Sequence, residues 1–496
     1  MTLIALAQIN PTLGDLNGNA QKIRKAFSNA TANKADVVVF PQGALSGMPL
    51  LGMVDNKDFI ENGHAILKAL ASEFHHRAFF DECFLEVAAP SVESKLKVAC
   101  RAIPYYRGCM ANIWAEASRK AKAEGIWIAE CNLVGGQDSV VYPGGSFVAD
   151  SEGNIRAATT FAEDIFLFEL DLPVDKATPA KGDTIYWDEA KLKRETALSR
   201  TVSQSRISYE GIAEVYRAIV LAIHDYVVKS GLNGAAVSVS GGIDSAVVAA
   251  LVVDALGPER VKFITMPGPF TSHETLADAM LLAENLQVHI EEVSIVESYF
   301  TARAALTNVF AEGLDDPEDI SGQNLQARIR GMYVMALANR NNLLAMNCSN
   351  KTELMVGYGT MYGDLCGGFS PLKDVWKTDV WELARHANAV AEKPLIPTSI
   401  IDRIPSAELR ENQEDRQSLP DYPVLDAILE QYIEQKQPYA TLIQEKYRQQ
   451  DIQRAVGLNY ASAFKRQQAP LGPNITRHDE AELPIPVMNR YRPWLY

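Results

Sequence analysis

The hexapeptide Ser240–Ser245 constrains the fold of this chain more than any other part of its sequence. It has the sequence Ser-Gly-Gly-Ile-Asp-Ser and lies between the apolar run Ala235–Val239 and the small, aliphatic run Ala246–Leu256. We interpret the first run as a buried strand and the second as a helix. Two glycines at such a turn allow backbone N–H groups to bind an anion at the helix N-terminus. No Gly-Lys-Ser/Thr follows the glycines, which excludes the loop that serves γ-phosphate transfer.

Composition limits the class of protein. The chain has 496 residues, of which 47% are hydrophobic and 22% charged, as in a soluble globular protein of two or three domains. Its net charge of −15 argues against a nucleic-acid-binding surface and against binding to anionic membranes. The six cysteines form no C-x-x-C pair and no metal-like spacing. Met1–Ile9 lacks the basic region of a signal peptide, so we expect a reduced, cytoplasmic protein.

The sequence predicts two globular blocks, a linker and a tail. Residues 1–172 alternate short β runs with helical stretches, and residues 173–208 turn to Pro, Lys, Thr and Asp, which is typical of a linker. Residues 209–475 form the second block, and residues 476–496 form a C-terminal tail. Strand–helix alternation around the glycine loop predicts an α/β domain with a doubly wound parallel sheet. A nucleotide would then bind at the carboxyl ends of the strands.

Four further polar or glycine-rich segments lie in the second block. They are Ser321–Arg330, Asn347–Glu353, Gly357–Asp364 and Lys373–Thr378. The second of them follows the apolar run Leu343–Met346, so we place it at a strand end as well. The arginines and amides of the first suit phosphate, ribose and carboxylate groups. Lys373 and Lys377 are four residues apart, and we predict that they share one face of a helix start.

The loop resembles that of ATP pyrophosphatases, which split ATP between the α and β phosphates. The whole second block resembles NAD synthetase. The matching strings are Ser240–Ser245, Asn324–Gly331, Asn350–Glu353, Tyr362–Asp364, Lys373–Thr378, Pro405–Leu409 and Phe464–Gln467. The resemblance implies that the protein adenylates the nicotinate carboxylate of deamido-NAD with ATP, releases pyrophosphate, and lets ammonia displace AMP.

The resemblance also implies roles for individual residues. Asp244 and Glu353 would hold Mg²⁺ on the phosphates of ATP, because this cation prefers oxygen ligands. The ATP- and pyrophosphate-binding residues would be Ser240, Gly241, Gly242, Asp244, Ser245, Lys351 and Thr352. The substrate-binding residues would be Asn324, Arg328, Lys373, Asp374 and Lys465. Lys377 and Asp364 would complete the catalytic set. Lys377 would neutralise phosphate oxygens, and Asp364 would lie beside the nicotinate and the incoming ammonia, unless it only caps a turn.

The first block resembles the nitrilase-like glutaminase domain of some NAD synthetases, which implies an α-β-β-α fold. The strings that carry this resemblance are Ala5–Gly14, Phe40–Pro41, Asn132–Asp138 and Gly144–Phe147. Nitrilase-type hydrolysis uses a Glu base, a Lys and a Cys nucleophile, and the Glu position directly after Phe-Pro is Gln42 here. A neutral amide cannot accept a thiol proton. Cys83 and Cys100 lack the surrounding motif, so we expect a shortened, inactive glutaminase domain.

Free ammonia is therefore the predicted nitrogen donor, with deamido-NAD and ATP as the small-molecule partners. The alternatives are a glutamine-dependent NAD synthetase with an altered triad, another ATP pyrophosphatase acting on a different substrate, and a regulatory pseudoenzyme. We also predict a homodimer or larger homo-oligomer. The aliphatic face of the helix Tyr209–Lys229, formed by Val215, Ile219 and Ala222, would otherwise be exposed.

Overall fold

The chain divides into two units, Met1–Ala222 and Ile223–Tyr496, each with a hydrophobic core. The computed structural model describes residues 2–74, 78–81, 96–170, 177–178, 184–187, 200–201, 209–307, 309, 320–444, 447–478, 485–489 and 491–495. The sequence predicts a boundary between residues 172 and 209. The division lies further along the chain, inside the helix α4 (Ile212–Lys229).

The first unit is built mainly from short strands. Its described strands are β1 (Thr2–Gln8), β2 (Val37–Gln42), β3 (Ala78–Asp81), β4 (Leu96–Arg101), β5 (Trp127–Asn132), β6 (Val134–Gln137), β7 (Val140–Pro143), β8 (Phe147–Ala149), β9 (Ile155–Ala157), β10 (Asp164–Leu170), β11 (Ala177–Thr178), β12 (Thr184–Trp187) and β13 (Arg200–Thr201). Its helices before α4 are α1 (Leu16–Ala32), α2 (Lys57–Glu73) and α3 (Cys109–Glu124). Within the described ranges one sheet has the order β13-β10-β1-β2-β3, a second has the order β11-β12-β4-β5-β8-β9, and β6 pairs with β7.

Alternation along the strands of the first unit produces four layers. Successive side chains of a strand point to opposite faces of the sheet. In β1, Ile4 and Leu6 pack against residues of the second sheet such as Cys131. Ala5 and Ala7 point the other way and pack against α1 and α2. Because α3 covers the outer face of the second sheet, the unit is an α-β-β-α sandwich, which confirms the predicted fold.

The segment predicted as a linker contributes strands to both of these sheets. β12 pairs antiparallel with β4, and β11 pairs with β12. β13 pairs antiparallel with β10. A strand at an open sheet edge presents unpaired N–H and C=O groups, which an extended segment can satisfy. The described parts of residues 173–208 therefore extend the sheets of the first unit in addition to joining the two blocks.

The second unit has a parallel sheet and many helices. Its described strands are β14 (Gly234–Ser238), β15 (Val261–Thr265), β16 (Ile290–Glu292) and β17 (Leu343–Met346). Its helices after α4 are α5 (Ile243–Leu256), α6 (His273–Asn285), α7 (Val296–Leu306), α8 (Ile320–Asn341), α9 (Lys351–Val356), α10 (Lys377–Val390), α11 (Thr398–Asp402), α12 (Tyr422–Leu429), α13 (Tyr439–Gln444), α14 (Gln449–Ala461) and α15 (Ala463–Arg466). None of the described helices combines the length and the apolar character needed to cross a bilayer.

Helices cover both faces of the parallel sheet. The described strands have the order β16-β15-β14-β17, and every neighbouring pair is parallel. Ala235, Ala236 and Val237 of β14 are fully buried, as expected for a strand covered on both sides. Ala236 packs in one cluster with residues of α7 and α8, and α5 also packs against β14. The predicted doubly wound parallel sheet is confirmed.

The aliphatic face of α4 is already covered within a single chain. Val215, Ile219 and Ala222 are all buried. These side chains therefore need no second copy to cover them, and the expectation that they would otherwise be exposed is wrong. The oligomer itself remains a prediction without that support.

Candidate active site

The strand order creates a crevice at the carboxyl ends of β14 and β17. From β14 the chain moves outward in one direction through β15 and β16, whereas β17 lies on the opposite side of β14. Helix α5, which follows β14, and helix α8, which leads into β17, both pack against β14 on different faces of the sheet, so the chain switches faces between these two strands. Ligands of open parallel sheets bind at such a switch point. Ser240–Ser245 follows β14, and Asn347–Glu353 follows β17.

The loop after β14 has the form of an anion site. Gly241 has a φ of +83°, a conformation that favours glycine. Helix α5 begins at Ile243 with Gly242 as its N-cap, and a glycine has no side chain to accept from the first-turn N–H groups. The Ser240 and Ser245 hydroxyl oxygens lie 3.2 Å apart, and the Ser245 hydroxyl donates to the Gly242 carbonyl. The predicted pyrophosphate loop therefore has free N–H groups and two hydroxyls at a helix N-terminus.

A basic side chain that the sequence argument did not select braces this loop. The Arg403 guanidinium donates to the Gly241 carbonyl over 3.4 Å and to the Thr275 hydroxyl over 2.9 Å. It also forms an ion pair with Asp278 of α6. The Thr275 hydroxyl in turn donates to Glu408, within the Pro405–Leu409 string that matched the family. The arginine lies just before that string, which was the available sequence signal.

Asp244 is the centre of the candidate site. It lies in the first turn of α5, directly after the loop. Its Oδ2 accepts a 2.5 Å bond from Lys377 Nζ, and its Oδ1 accepts a 2.8 Å bond from Asn350 Nδ2. Asp244 and Asn350 therefore link the chain after β14 with the chain after β17, as the switch-point geometry predicts. Asn350 had no assigned role in the sequence analysis.

Glu353 faces the same lysine from the other side of the crevice. It is the third residue of α9, and it forms a reciprocal capping box with Asn350. Its Oε1 lies 3.8 Å from Lys377 Nζ. Burial, followed by the charge of Asp244, raises the pKa of the Glu353 carboxyl well above its usual value. Two carboxylates in a buried crevice repel one another, so this site favours an added cation.

Lys377 is buried between these carboxylates and two aromatic rings. Its amine lies 5.2 Å from the ring centre of Tyr422 and 5.6 Å from that of Trp381. Burial lowers the pKa of the Lys377 amine, but Asp244 and Glu353 outweigh burial and raise it. Lys377 therefore stays charged. Among the described residues only Asp244 lies within hydrogen-bond distance of its amine, which leaves donors for a phosphate.

The Thr352 hydroxyl holds the N-terminus of helix α10, which carries Lys377. Its hydroxyl oxygen accepts a 2.9 Å bond from the backbone N–H of Lys377 and donates to Asp426 over 2.5 Å. The contact of Thr352 with ATP stays a prediction, and in the structure its hydroxyl holds the N-terminus of α10. Lys373, by contrast, lies in the turn before α10 and donates to the carbonyl of Pro470. The prediction that Lys373 and Lys377 share a helix face is wrong, because the helix begins only at Lys377.

The carboxylates fit a hard divalent cation. Asp244 and Glu353 supply oxygen ligands, and the Lys377 ammonium lies against both of them. Within the described part of the chain no group of three or more His, Cys, Asp or Glu side chains gathers in metal-binding geometry. Mg²⁺ characteristically uses one or two carboxylates together with water and phosphate oxygens. The donor set therefore suits Mg²⁺ that arrives with a phosphate ligand.

Lys351 and Asp374 do not join this cluster. The Lys351 amine lies 2.6 Å from Asp374 and 2.6 Å from Glu434, and it donates to the Thr476 hydroxyl over 3.0 Å. The sequence assigned Lys351 to the phosphates and Asp374 to the substrate. Instead they bind one another in a separate buried network.

A second cluster surrounds the glycine-rich turn Gly357–Asp364. Asn324 of α8 accepts from the Thr360 hydroxyl over 2.7 Å, and Asp364 accepts from the Thr360 backbone N–H over 2.7 Å. Lys465 donates to the Gly357 and Gly359 carbonyls, both over 2.7 Å. Burial raises the pKa of Asp364 despite its hydrogen bond from Thr360. The turn-capping role left open by the sequence is therefore present for Asp364.

One predicted substrate residue of this cluster, Lys465, lines a cavity. Arg328 donates to the Met361 carbonyl over 3.3 Å. An open cavity of about 300 Å³ lies beside it, lined by Met335, Met361, Tyr362, Leu365, Cys366, Gly367, Lys465, Gln468 and Pro470. Its wall combines apolar side chains with a few polar groups, as is usual for a small-molecule site.

The described part of the first unit shows little hydrolytic machinery. Gln42 lies at the C-terminal end of β2, where the register with β3 is irregular. Cys100, Cys109 and Cys131 are all buried. Burial raises the pKa of the Cys109 thiol to about 11, and a protonated thiol is a poor nucleophile. Cys83 lies outside the described residues.

Two segments of the chain match known protein families, and curated proteins match it over nearly its whole length. Residues 215–469 match NAD synthase, and residues 3–78 match carbon-nitrogen hydrolase. A glutamine-dependent NAD(+) synthetase of Thermotoga maritima is 31% identical over 574 aligned positions, which cover 99% of each chain. The enzyme of the same name from Xanthomonas campestris pv. campestris is 37% identical, with 98% of this chain and 97% of the relative covered.

Two solved structures match this chain over nearly its whole length. A glutamine-dependent NAD+ synthetase from Acinetobacter baumannii, in complex with ADP, matches with a TM-score of 0.67 and 28% identity over 98% of both chains. A glutamine-dependent NAD(+) synthetase from Cytophaga hutchinsonii matches with a TM-score of 0.77 over 99% of this chain and 98% of that one. Its 16% identity supports the fold alone.

Replacing Gly241 with alanine tests the loop geometry. A Cβ there would lie 2.2 Å from the Thr275 carbonyl oxygen, whereas a Cβ at Gly231, which also has a positive φ, has no neighbour within 4 Å. We expect Gly241→Ala to lower the free energy of unfolding by about 1–3 kcal/mol more than Gly231→Ala, because backbone must move to relieve the overlap. Denaturant unfolding measures both variants. Equal losses of stability would contradict the geometry of the loop.

Proposed function

The chain belongs to the NAD synthase family, and we propose that it converts deamido-NAD to NAD through an adenylated nicotinate carboxylate, with release of AMP and pyrophosphate. The carrying observation is the meeting of Asp244, Glu353 and Lys377 beside the loop Ser240–Ser245. This set combines an anion-binding loop, two carboxylates for a cation and a buried ammonium in one crevice. The attack of a carboxylate on the α-phosphate of ATP requires these groups.

The charge balance of the step explains why these residue types are needed. A carboxylate is a poor electrophile, and adenylation exchanges an oxide for AMP as the leaving group. The reaction brings a carboxylate and a triphosphate together, so repulsion must be offset by fixed donors. The N–H groups and hydroxyls of the loop would hold the departing pyrophosphate, and Lys377 would donate to the reacting phosphates. The loop is held in place before substrate arrives, which limits reorganisation during the step.

ATP and Mg²⁺ are the proposed cofactors. The NAD synthase family uses ATP, and the relative from Acinetobacter baumannii binds ADP. Asp244 and Glu353 would hold the metal ion, which supplies charge neutralisation on the phosphates when it is bound. Asn350 keeps the Asp244 carboxylate oriented, and the capping box does the same for Glu353. Lys377 would then exchange its carboxylate contacts for phosphate oxygens.

The deamido-NAD site is proposed around the cavity beside α8. Lys465 provides positive charge in the lining of the cavity, Arg328 bonds to the carbonyl of the lining residue Met361, and Asn324 lies on the same helix as Arg328. Burial keeps Asp364 more readily protonated than an ordinary aspartate, and the Thr360 bonds fix its position. A carboxyl in that state can orient a neutral nucleophile without adding a full negative charge near the nicotinate.

The nitrogen donor has two candidates, glutamine and free ammonia. The curated relatives are named glutamine-dependent, and they cover nearly the whole chain. These names support glutamine, the alternative stated from the sequence, better than they support the ammonia that the sequence predicted. The match of residues 3–78 to carbon-nitrogen hydrolase also supports a domain of the kind that releases ammonia from an amide.

Several observations in this chain favour free ammonia over glutamine. Gln42 occupies the position after Phe-Pro where nitrilase-type hydrolysis needs a carboxylate base. The carbon-nitrogen hydrolase match also ends at residue 78, and the alignment with the Thermotoga relative is 574 positions long for a chain of 496 residues. This chain therefore lacks residues that the named glutamine-dependent relative has. From these observations we propose free ammonia, and not glutamine, as the nitrogen source.

Product analysis tests the proposed reaction. With ATP, Mg²⁺, deamido-NAD and ammonium, we expect one AMP and one pyrophosphate for each NAD, because the loop would hold pyrophosphate and lacks the lysine of γ-phosphate transfer. Nucleotides and pyrophosphate are measured by chromatography and an enzyme-coupled assay. Release of ADP and phosphate in step with NAD would rule out adenylation.

Isosteric neutral variants test the metal assignment. Asp244→Asn and Glu353→Gln keep an acceptor for Asn350 but remove the charge, so we expect kcat to fall about 10²–10³-fold, which corresponds to several kcal/mol of lost charge stabilisation. Asp254→Asn, on the exposed surface of the same helix as Asp244, is the matched control and should keep the wild-type rate. Near-normal rates at saturating Mg²⁺ in either site variant would remove that residue from the metal site.

Comparison of nitrogen sources tests the donor. Ammonium should support NAD formation, whereas glutamine freed of ammonium should support neither NAD formation nor glutamate release. Loss of the general base alone is worth about 10²–10⁴-fold. Gln42→Glu should not restore glutamine use, since one carboxylate does not supply the nucleophile. Glutamate formed in step with NAD, and stopped by a thiol alkylating reagent, would overturn ammonia and establish glutamine.

A further inference from the structure

The Lys351 amine is fully bonded inside the second unit. An ammonium group has three donors, and those of Lys351 have the acceptors Asp374, Glu434 and Thr476 at 2.6, 2.6 and 3.0 Å. Its amine also lies 4.7 Å from the ring centre of Trp376. The side chain is 3% exposed. No donor of this lysine remains for a phosphate, in contrast to Lys377.

Asp374 connects this lysine to the end of the chain. Its carboxylate accepts from the backbone N–H groups of Ile475 and Thr476, both over 2.7 Å, and from the Thr476 hydroxyl over 3.0 Å. His478 Nε2 lies 3.0 Å from the same carboxylate. Burial alone would raise the pKa of Asp374, but Lys351 and His478 outweigh it and hold the pKa well below its usual value. The carboxylate is therefore charged and saturated with hydrogen bonds.

The short helix α9 joins this network to the candidate metal site. Lys351, Thr352 and Glu353 are consecutive in its first turn, and each side chain has a different anchor. Glu353 faces Lys377, and Thr352 bonds to the N–H of Lys377 and to Asp426. Lys351 is held by Asp374 and the chain segment after α15. A helix of six residues has little rigidity of its own, so these anchors fix its rotation.

We propose that the Lys351–Asp374 pair, together with Thr476, is a clamp that positions Glu353 and Lys377 for the metal and the phosphates of ATP. The segment Ile475–His478 is then a working part of the synthetase site, although the sequence placed the end of that block at residue 475. This inference rests on the proposed function for the ligand that the clamp serves. Lys351 and Thr476 are positioning residues and do not touch the nucleotide.

The test is a double-mutant cycle read by metal binding. Lys351→Met, Thr476→Val and the double variant are compared with the wild type. Free Mn²⁺ is followed by electron paramagnetic resonance as it binds to the protein with ATP, and kcat and the KM for ATP are measured in parallel. Loss of a partner that orients a metal ligand costs about 10–100-fold in metal affinity or activity.

We expect Thr476→Val to weaken Mn²⁺ binding about tenfold and Lys351→Met by more. The double variant should be no weaker than Lys351→Met alone, because both substitutions break one network. A rise confined to the KM for ATP in Lys351→Met, with wild-type behaviour of Thr476→Val, would overturn the clamp in favour of direct phosphate contact. Additive losses in the double variant would also overturn it.

A control separates positioning from general loss of stability. Tyr460→Phe removes the 3.0 Å hydroxyl contact with Tyr432 in the same unit, away from Lys351 and Asp374 in the bonding network. We expect it to leave Mn²⁺ binding unchanged even where it lowers the melting temperature, and an equal loss of Mn²⁺ binding would overturn the clamp.

Failure of the proposed function is distinguishable from failure of the clamp. A wild-type protein that binds Mn²⁺ with ATP but releases no AMP would count against the proposed function, and the double-mutant cycle would still decide on the clamp.

Discussion

The parallel pairing of β14 with β17 is the constraint on which the second unit depends. It places a strand from late in the unit beside the first one, so that two loops distant in sequence end at one edge of the sheet. Asp244 comes from the first loop and Asn350 from the second, and the hydrogen bond between them spans 106 residues. Without this strand order, the glycine loop would have phosphate-binding groups but no second carboxylate opposite them.

The two buried lysines, Lys351 and Lys377, differ in how many of their hydrogen-bond donors the protein already uses. Lys351 and Lys377 are both almost inaccessible, and both have carboxylate partners. Lys351 uses all three donors within the protein, whereas Lys377 has one close acceptor and lies among aromatic rings. A buried ion pair adds little net stability but strongly favours one geometry, since separating its charges is costly. Lys351 therefore serves the geometry of the site, and Lys377 remains able to change partners.

Sequence patterns predicted those parts of the site whose geometry depends only on residues close together in the sequence. The loop Ser240–Ser245 depends on a short stretch of backbone, so its letters identify it. The partners of Lys351 lie 83 and 125 residues away, at Glu434 and Thr476, and no local pattern reports such contacts. The prediction that a second copy covers the α4 face fails for the same reason, because the sequence of an amphipathic helix does not reveal which surface covers it.

The clustering of three roles in one turn of α9 makes this stretch sensitive to chain length. Each added or deleted residue rotates the following side chains by about 100° around the helix axis, since a turn has 3.6 residues. One insertion before Lys351 would move Glu353 off the crevice and Thr352 off Asp426 together. A substitution here changes one of the three roles at a time, whereas an insertion or deletion disturbs all three together. Homologous sequences should therefore vary in length between secondary-structure elements elsewhere and keep the spacing from Asn350 to Glu353 constant.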